Sequence, residues 1–360
     1  MTTDELKAPA RATSGPARTA RVAVLGAAGY SGGEFARLAL AHPGLTLDAL
    51  VVRSREVEAA RDLASALPGI DPRALRGGGP ALIEVGALEE RIALGGVDTL
   101  VAALPHGVWR GLLAEHAWLA QAERTLRVID FSSDHRDGSA GYVYGLPEAF
   151  REDVAAADHV ANPGCYPTAT ALALLPAATL SWIRGPVTVN ALSGVTGAGR
   201  GPKLTTSFVE VEGGASFYKV GTVHPHVAEM ARTIKRLGAA VEVAFAPQLV
   251  PMARGILLTA QAALDHPVTP GEARDAYARR YGAEPFVRLL EEGAWPATRA
   301  VRGSNRVDVQ VTTLFGGTVL LATAALDNLA KGAATQALQN LNLMLGWPET
   351  TGLSPHGSPW

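Results

Sequence analysis

A single cysteine among 360 residues rules out an intramolecular disulfide framework and a cysteine-rich zinc site, so Cys165 is a free thiol suited to a reducing cytoplasm. The chain also lacks any uninterrupted apolar run near the roughly 18 residues a bilayer span requires, and no membrane association is expected. An excess of charge of one sign is missing too. The 32 Lys and Arg stand against 34 Asp and Glu, a net charge of −2, which offers neither a broad positive field for nucleic acid nor a polybasic anchor. Residues 1–20, rich in Ala, Thr, Pro and charge, have no signal-peptide core and read as a disordered tail. There is no internal repeat, and the glycine-rich stretch at 77–80 reads as a loop. What remains is 48% hydrophobic and long enough for about two domains with a sizeable core.

Residues 21–25, R-V-A-V-L, form a short strand that runs into G-A-A-G-Y-S-G-G and then into the helical pattern E-F-A-R-L-A-L-A-H. Further strands are expected at 45–52, 97–103 and 127–131 with helical stretches between them, the alternation of a parallel, doubly wound sheet. After Asn162 the pattern changes to an apolar helix and then strand-like V-T-V-N-A-L, V-E-V-A-F-A-P, G-I-L-L-T-A-Q and V-D-V-Q-V-T-T, which suggest a mixed or antiparallel second sheet. Residues 327–345 have the spacing of an amphipathic helix that packs back on the first domain. The reading is thus α/β followed by α+β. A Rossmann-type dinucleotide-binding domain spans 21–162 and 327–360, and a catalytic and dimerisation domain spans 163–326.

Gly26, Gly29 and Gly32, with Tyr30 and Ser31 in the same turn, lie where backbone N–H groups meet an anion at a helix start, so a dinucleotide pyrophosphate fits there; a plain strand–helix turn would use the same glycines. The next strand ends in Arg53, Ser54 and Arg55 instead of an acidic residue, which favours a 2′-phosphate and hence NADP(H) over a simple solvated turn. Cys165 follows a Pro-Gly turn at a probable helix start, a position that lowers a thiol's pKa and favours a nucleophile over a buried hydrophobe. His224 and His226 in H-P-H-V-A-E offer two imidazoles, with Glu229 placed to orient His226 across one turn. No third ligand stands nearby, which argues against a metal. Arg200 of S-G-V-T-G-A-G-R and Arg254 of V-P-M-A-R-G are candidate forks for a carboxylate or phosphate, with Asn162, Tyr218 and Glu229 as further candidate substrate contacts.

From 21 to about 353 the chain resembles the N-acetyl-gamma-glutamyl-phosphate reductases, relatives of aspartate-semialdehyde dehydrogenase. The resemblance is carried by G-A-A-G-Y-S-G-G-E, A-L-P-H-G-V, D-F-S-S-D-H-R, Y-G-L-P-E, A-N-P-G-C-Y-P-T, S-G-V-T-G-A-G-R, H-P-H-V-A-E, V-P-M-A-R-G-I and D-N-L-A-K-G-A-A-T-Q-A-L-Q-N. It implies a thioester on Cys165, an acid–base histidine from His224 or His226, and NADP pyrophosphate on Gly26 to Gly32. It further implies Pro105, His106 and Gly107 beside the nicotinamide, Ser193 and Gly194 on the cofactor, and Asn305 at the nicotinamide end. The family commonly has H-R-H where this chain has Pro225 between the imidazoles. The implied reaction takes N-acetyl-glutamyl phosphate to its semialdehyde and releases inorganic phosphate, in a cytoplasmic homodimer or homotetramer. Reduction of another acyl phosphate, a non-catalytic NADPH sensor and a zinc hydrolase are the rival readings.

Overall fold

The structure, a computed structural model, describes residues 19–53, 67, 69–71, 79–201 and 203–357. The first 18 residues of the expected tail, Ser54, Arg55 and the glycines at 77 and 78 lie outside them. Ala20 already belongs to the first strand.

Seven parallel strands, β1 (Ala20–Leu25), β2 (Leu45–Val51), β3 (Ala81–Ile83), β4 (Thr99–Ala102), β5 (Arg127–Asp130), β6 (Val143–Tyr144) and β7 (His159–Ala161), are ordered β3-β2-β1-β4-β5-β7-β6. Runs such as V-A-V-L in β1 and T-L-V-A in β4 are buried without interruption, as a sheet covered on both faces demands. Helix α1 (Tyr30–Ala41) lays Phe35, Ala36 and Ala39 onto this sheet. The winding reverses between β1 and β4, which makes the carboxyl ends of these strands the switch point of the sheet.

The second sheet has β8 (Ile183–Ser193), β9 (Ser216–Phe217), β10 (Val243–Leu249), β11 (Ile256–Leu264), β12 (Val287–Leu289), β13 (Val307–Leu314) and β14 (Val319–Leu326), ordered β12-β13-β14-β11-β8-β10-β9. It is mixed, with parallel pairs β8/β10 and β12/β13. Burial alternates along β11, where Ile256, Leu258, Ala260, Ala262 and Leu264 face the core and Gln261 faces out. The core face is covered by α2 (Cys165–Thr179), α3 (His226–Arg236) and α4 (Pro270–Tyr281). Helix α2 is Ala- and Leu-rich on every side and buried from Tyr166 to Ala178, as an enclosed helix must be.

The C-terminal segment differs from the expected amphipathic helix. A π-turn at Ala330–Ala334 leads into α5 (Thr335–Met344), whose polar side is buried as well. Asn340 Nδ2 donates to Gly145 O (2.9 Å) and Asn162 Oδ1 (3.1 Å), and Gln336 Nε2 donates to Gly145 O (3.0 Å). Leu338 and Leu341 pack with Val24 and Phe35 of the first sheet's core. Polar spacing marks a water-facing side only when no buried carbonyl competes for it. Among the described residues no helix is long and apolar enough to cross a membrane.

Lys331 of the π-turn is fully buried, with Nζ 2.5 Å from Glu148 Oε1 and 2.7 Å from Gln339 Oε1. Burial alone would raise the Glu148 pKa, but the charge and hydrogen bond of Lys331, with a backbone N–H and the Gln339 amide, together hold the carboxyl below its ordinary 4.5. The pair's stabilisation is therefore present above about pH 4.5 and is lost as pH falls through the lower folded value. Lys331→Met strands a buried carboxylate and should lower stability by about 3–5 kcal/mol. Urea unfolding at pH 7 measures this, with the gap to wild type closing at acid pH.

Candidate active site

The Pro163–Gly164 turn carries the chain from β7 into α2. Extended Gly164 is the N-cap, and the Thr168 N–H and hydroxyl both close on Gly164 O at 2.9 Å. A buried ion pair fixes this turn. Glu229 Oε1 accepts from Gly164 N–H (2.9 Å) and Tyr144 OH (2.8 Å), while Oε2 accepts from Arg136 Nη1 (2.8 Å). Arg136 donates its other N–H groups to Asn162 O (2.8 Å) and Phe131 O (2.7 Å). Gly332 of the π-turn presses from another side, where a methyl group would stand 2.8 Å from Cys165 Cβ.

A helix-start thiol is expected to be acidified, and the structure reverses that sign. Burial pushes the Cys165 thiol from its ordinary 9.0 up to about 11. The Tyr166 N–H and the Arg136 charge pull it down without overcoming the lost hydration, and Glu229 pushes it further up. At neutral pH the thiolate therefore needs a proton acceptor.

Two neutral imidazoles border the residues that flank Cys165, with ring centroids 4.8 Å apart. Burial, with the Lys219 and His106 charges, brings His224 down to about 4, and burial with Arg136 and His224 takes His226 well below 6.5. The His226 backbone N–H donates to His224 Nδ1 at 3.1 Å, so neutral His224 carries its proton on Nε2. Pro225 is the N-cap of α3, where its missing N–H leaves no helical bond unmade. The His226 ring lies against Gly164: a methyl group there would sit 2.6 Å from Nε2, and Nδ1 is buried without a hydrogen-bond partner. Tyr218 OH and Tyr166 OH meet at 2.6 Å, with the Tyr166 ring 5.7 Å from His224 and 5.9 Å from His226.

The glycine turn lies at the switch point between β1 and β4. Gly26 (φ +78°) donates to Val51 O at 2.9 Å, and a methyl group there would meet Ala103 O at 2.4 Å; one on Gly32 would meet Gly26 O at 2.4 Å. Helix α1 starts at Tyr30 and Ser31 with no side-chain cap on Gly29, so its first N–H groups remain for an anion and the turn fits a dinucleotide pyrophosphate. Arg53 is exposed two residues beyond β2. Across the turn, beyond β4, His106 Nδ1 accepts from Ser133 N–H (3.0 Å), and Gly107 (φ +81°) donates to Asp134 Oδ1 (2.6 Å) just after Pro105. Ser193, 1% exposed at the end of β8, donates through Oγ to Gly194 O at 3.0 Å.

Four expected ligand contacts are placed otherwise. Glu229 neither orients His226 nor faces a substrate, because both its oxygens are held by Arg136, Tyr144 and Gly164. Asn162 donates to Ala333 O (3.0 Å) and accepts from Asn340 (3.1 Å), and Asn305 is tied to Gln339 (3.1 Å) and Thr335 (2.5 Å); neither side chain is left for a ligand. Arg254 bridges Asp327 (2.9 Å) and Glu34 (3.2 Å). Arg200 reaches the glycine turn, its Nη1 donating to Ala28 O at 2.7 Å. Arg136, Tyr144 and Gly332 were missed, although all three sit in motifs that carry the resemblance, because a motif does not disclose which polar groups are buried behind a turn. Among the described residues no group of three or more His, Cys, Asp or Glu could hold a metal ion.

Alkylation of Cys165 by iodoacetamide in the ligand-free protein should be slow at pH 7 and climb toward pH 11, because the thiolate is the nucleophile and the thiol is pushed up to about 11. Mass spectrometry across pH, with Cys165→Ala as the blank, reads this directly. A rate already saturated by pH 8 would contradict it.

The family described as "Semialdehyde dehydrogenase, NAD binding domain" matches residues 21–157, and "Semialdehyde dehydrogenase, dimerisation domain" matches residues 165–328. The N-acetyl-gamma-glutamyl-phosphate reductase of Saccharopolyspora erythraea is 40% identical over 93% of this chain and 98% of its own. That of Streptomyces clavuligerus is 41% identical over 94% and 99%. Among solved structures, aspartate semialdehyde dehydrogenase II of Vibrio cholerae superposes with a TM-score of 0.69 at 17% identity, over 92% of this chain and 99% of that one, which establishes the shared fold. The NADP complex of the Candida albicans aspartate semialdehyde dehydrogenase gives 0.66 at 15% identity, over 90% and 99%. By sequence along nearly its whole length and by fold, the chain belongs to the semialdehyde dehydrogenase family, among the N-acetyl-gamma-glutamyl-phosphate reductases.

Proposed function

We propose that this chain reduces N-acetyl-L-glutamyl 5-phosphate to N-acetyl-L-glutamate 5-semialdehyde with NADPH, through a thioester on Cys165, and releases inorganic phosphate. The observation that carries the mechanism is a thiol at the first residue of α2 with two neutral imidazoles against its flanking residues Gly164 and Tyr166. His226, packed on Gly164, accepts the thiol proton. The thiolate attacks the acyl carbon, the oxyanion that forms expels phosphate, and a thioester remains. Gly26, Gly29, Tyr30, Ser31 and Gly32 would hold the pyrophosphate of NADPH and Arg53 its ribose end, and the dinucleotide would supply the hydride that reduces this thioester. The resulting oxyanion expels the sulfur, the aldehyde forms, and Cys165 is thiolate again. His224, with its proton fixed on Nε2, donates to each oxyanion in turn.

Pro105, His106 and Gly107, at the C-terminal end of β4, and Ser193 with Gly194, at the end of β8, border the nicotinamide end. Tyr218 lines the substrate side through Tyr166. The first domain takes in residues 21–162 and the C-terminal helix, which packs on its core, and the second spans 163–326. The match to a dimerisation domain supports a homodimer or homotetramer, and the lone free thiol supports a cytoplasmic setting.

The reverse reaction avoids the labile acyl phosphate. Purified protein should reduce NADP with N-acetyl-glutamate semialdehyde only when phosphate is present, and Cys165→Ala should lose roughly a thousandfold or more in rate. Turnover of aspartate semialdehyde alone would move the substrate assignment to a different acyl phosphate. Full activity in Cys165→Ala would end the thioester route.

A further inference from the structure

The segment after β8 reaches back across the molecule to the glycine turn. Arg200 Nη1 donates to Ala28 O at 2.7 Å, a contact between residues 172 positions apart. Ala28 lies between Gly26 and Gly29, within the turn that leads to the open N–H groups of α1. Neighbouring cations on the second sheet's loops are already committed. Arg254 is held by Asp327 and Glu34, and Lys203 Nζ is folded onto Ala198 O at 3.1 Å. Arg200 is exposed, has no carboxylate partner among the described residues, and is steadied by a neutral carbonyl. A guanidinium held along one edge in this way presents its remaining N–H groups to a phosphate.

We propose that Arg200 is a ligand of the dinucleotide's pyrophosphate, delivered from the second sheet's loop onto the glycine turn; this rests on the reading of that turn as the NADP(H) site. Helix α1 supplies backbone donors from one side, and Arg200 supplies the counter-charge from the other. The pyrophosphate is common to NADPH and NADH, so Arg200 acts equally on both, whereas a residue that reads the 2′-phosphate acts on NADPH alone. Cofactor binding also tethers the segment that begins at Ser193 to the first sheet, before any acyl substrate arrives.

The test is the Kd of the full-length protein for NADPH and for NADH, read from nicotinamide fluorescence without acyl substrate, in wild type, Arg200→Ala and Arg200→Lys. Circular dichroism melts confirm that each variant is folded. Arg200→Ala should raise both constants by about tenfold, the worth of one charge-assisted hydrogen bond, with their ratio unchanged. Arg200→Lys should recover part of the loss, and added salt should weaken binding less in Arg200→Ala than in wild type. Unchanged constants, a loss confined to NADPH, or a change only in the KM of the acyl substrate would each overturn the proposal while the turn remains the cofactor site. Failure of the wild type to bind either dinucleotide would instead overturn the cofactor reading and this proposal with it.

Discussion

The carboxylate of Glu229 holds the nucleophile's turn and the histidine helix in one frame. It accepts the Gly164 N–H at 2.9 Å from the residue joined to Cys165, and it belongs to the first turn of the helix that begins at His226. Arg136 neutralises it and at the same time binds the carbonyls of Asn162 and Phe131, and Tyr144 OH donates to it, so four separate stretches of chain converge on one buried pair. Such pairs add little net stability compared with apolar packing of the same volume. What this one provides is position: without an acceptor for Gly164 N–H, the entry to α2 would relax and Gly164 would lose its register against the His226 ring.

The same burial that fixes the frame sets the chemistry. Desolvation raises the thiol and lowers both imidazoles, so all three groups are uncharged at neutral pH. A neutral thiol beside a neutral base avoids idle alkylation and oxidation, and becomes reactive once a proton is transferred within the pair. The two sheets share the work. The first carries the glycine turn, the second carries the histidines, and Cys165 stands at the junction with the π-turn of the C-terminal segment against its Cβ.

Much of this was legible in the sequence. The strand, glycine turn and helix at 20–41 could be read because Gly26 and Gly32 are demanded by close backbone approach, and Cys165 because a Pro-Gly turn precedes an apolar helix. What could not be read was the direction in which polar side chains face. Asn162, Asn305 and Glu229 look like ligand contacts in a motif, yet each satisfies groups inside the protein. Helix α5 misled for the same reason, since its Asn and Gln serve buried carbonyls. The sign of the thiol's shift depends on how completely its neighbours, Gly332 among them, shut it from water, which only the tertiary fold decides.

The central claim is that the frame presents Cys165 as an acyl acceptor. Mixing the protein with N-acetyl-glutamyl phosphate in the absence of NADPH, quenching in acid and measuring intact and peptide masses tests it most directly. The account predicts one N-acetylglutamyl group per chain, on the peptide that contains Cys165 and removable by hydroxylamine. No adduct under conditions where the complete reaction proceeds, or an adduct on any other residue, would contradict it.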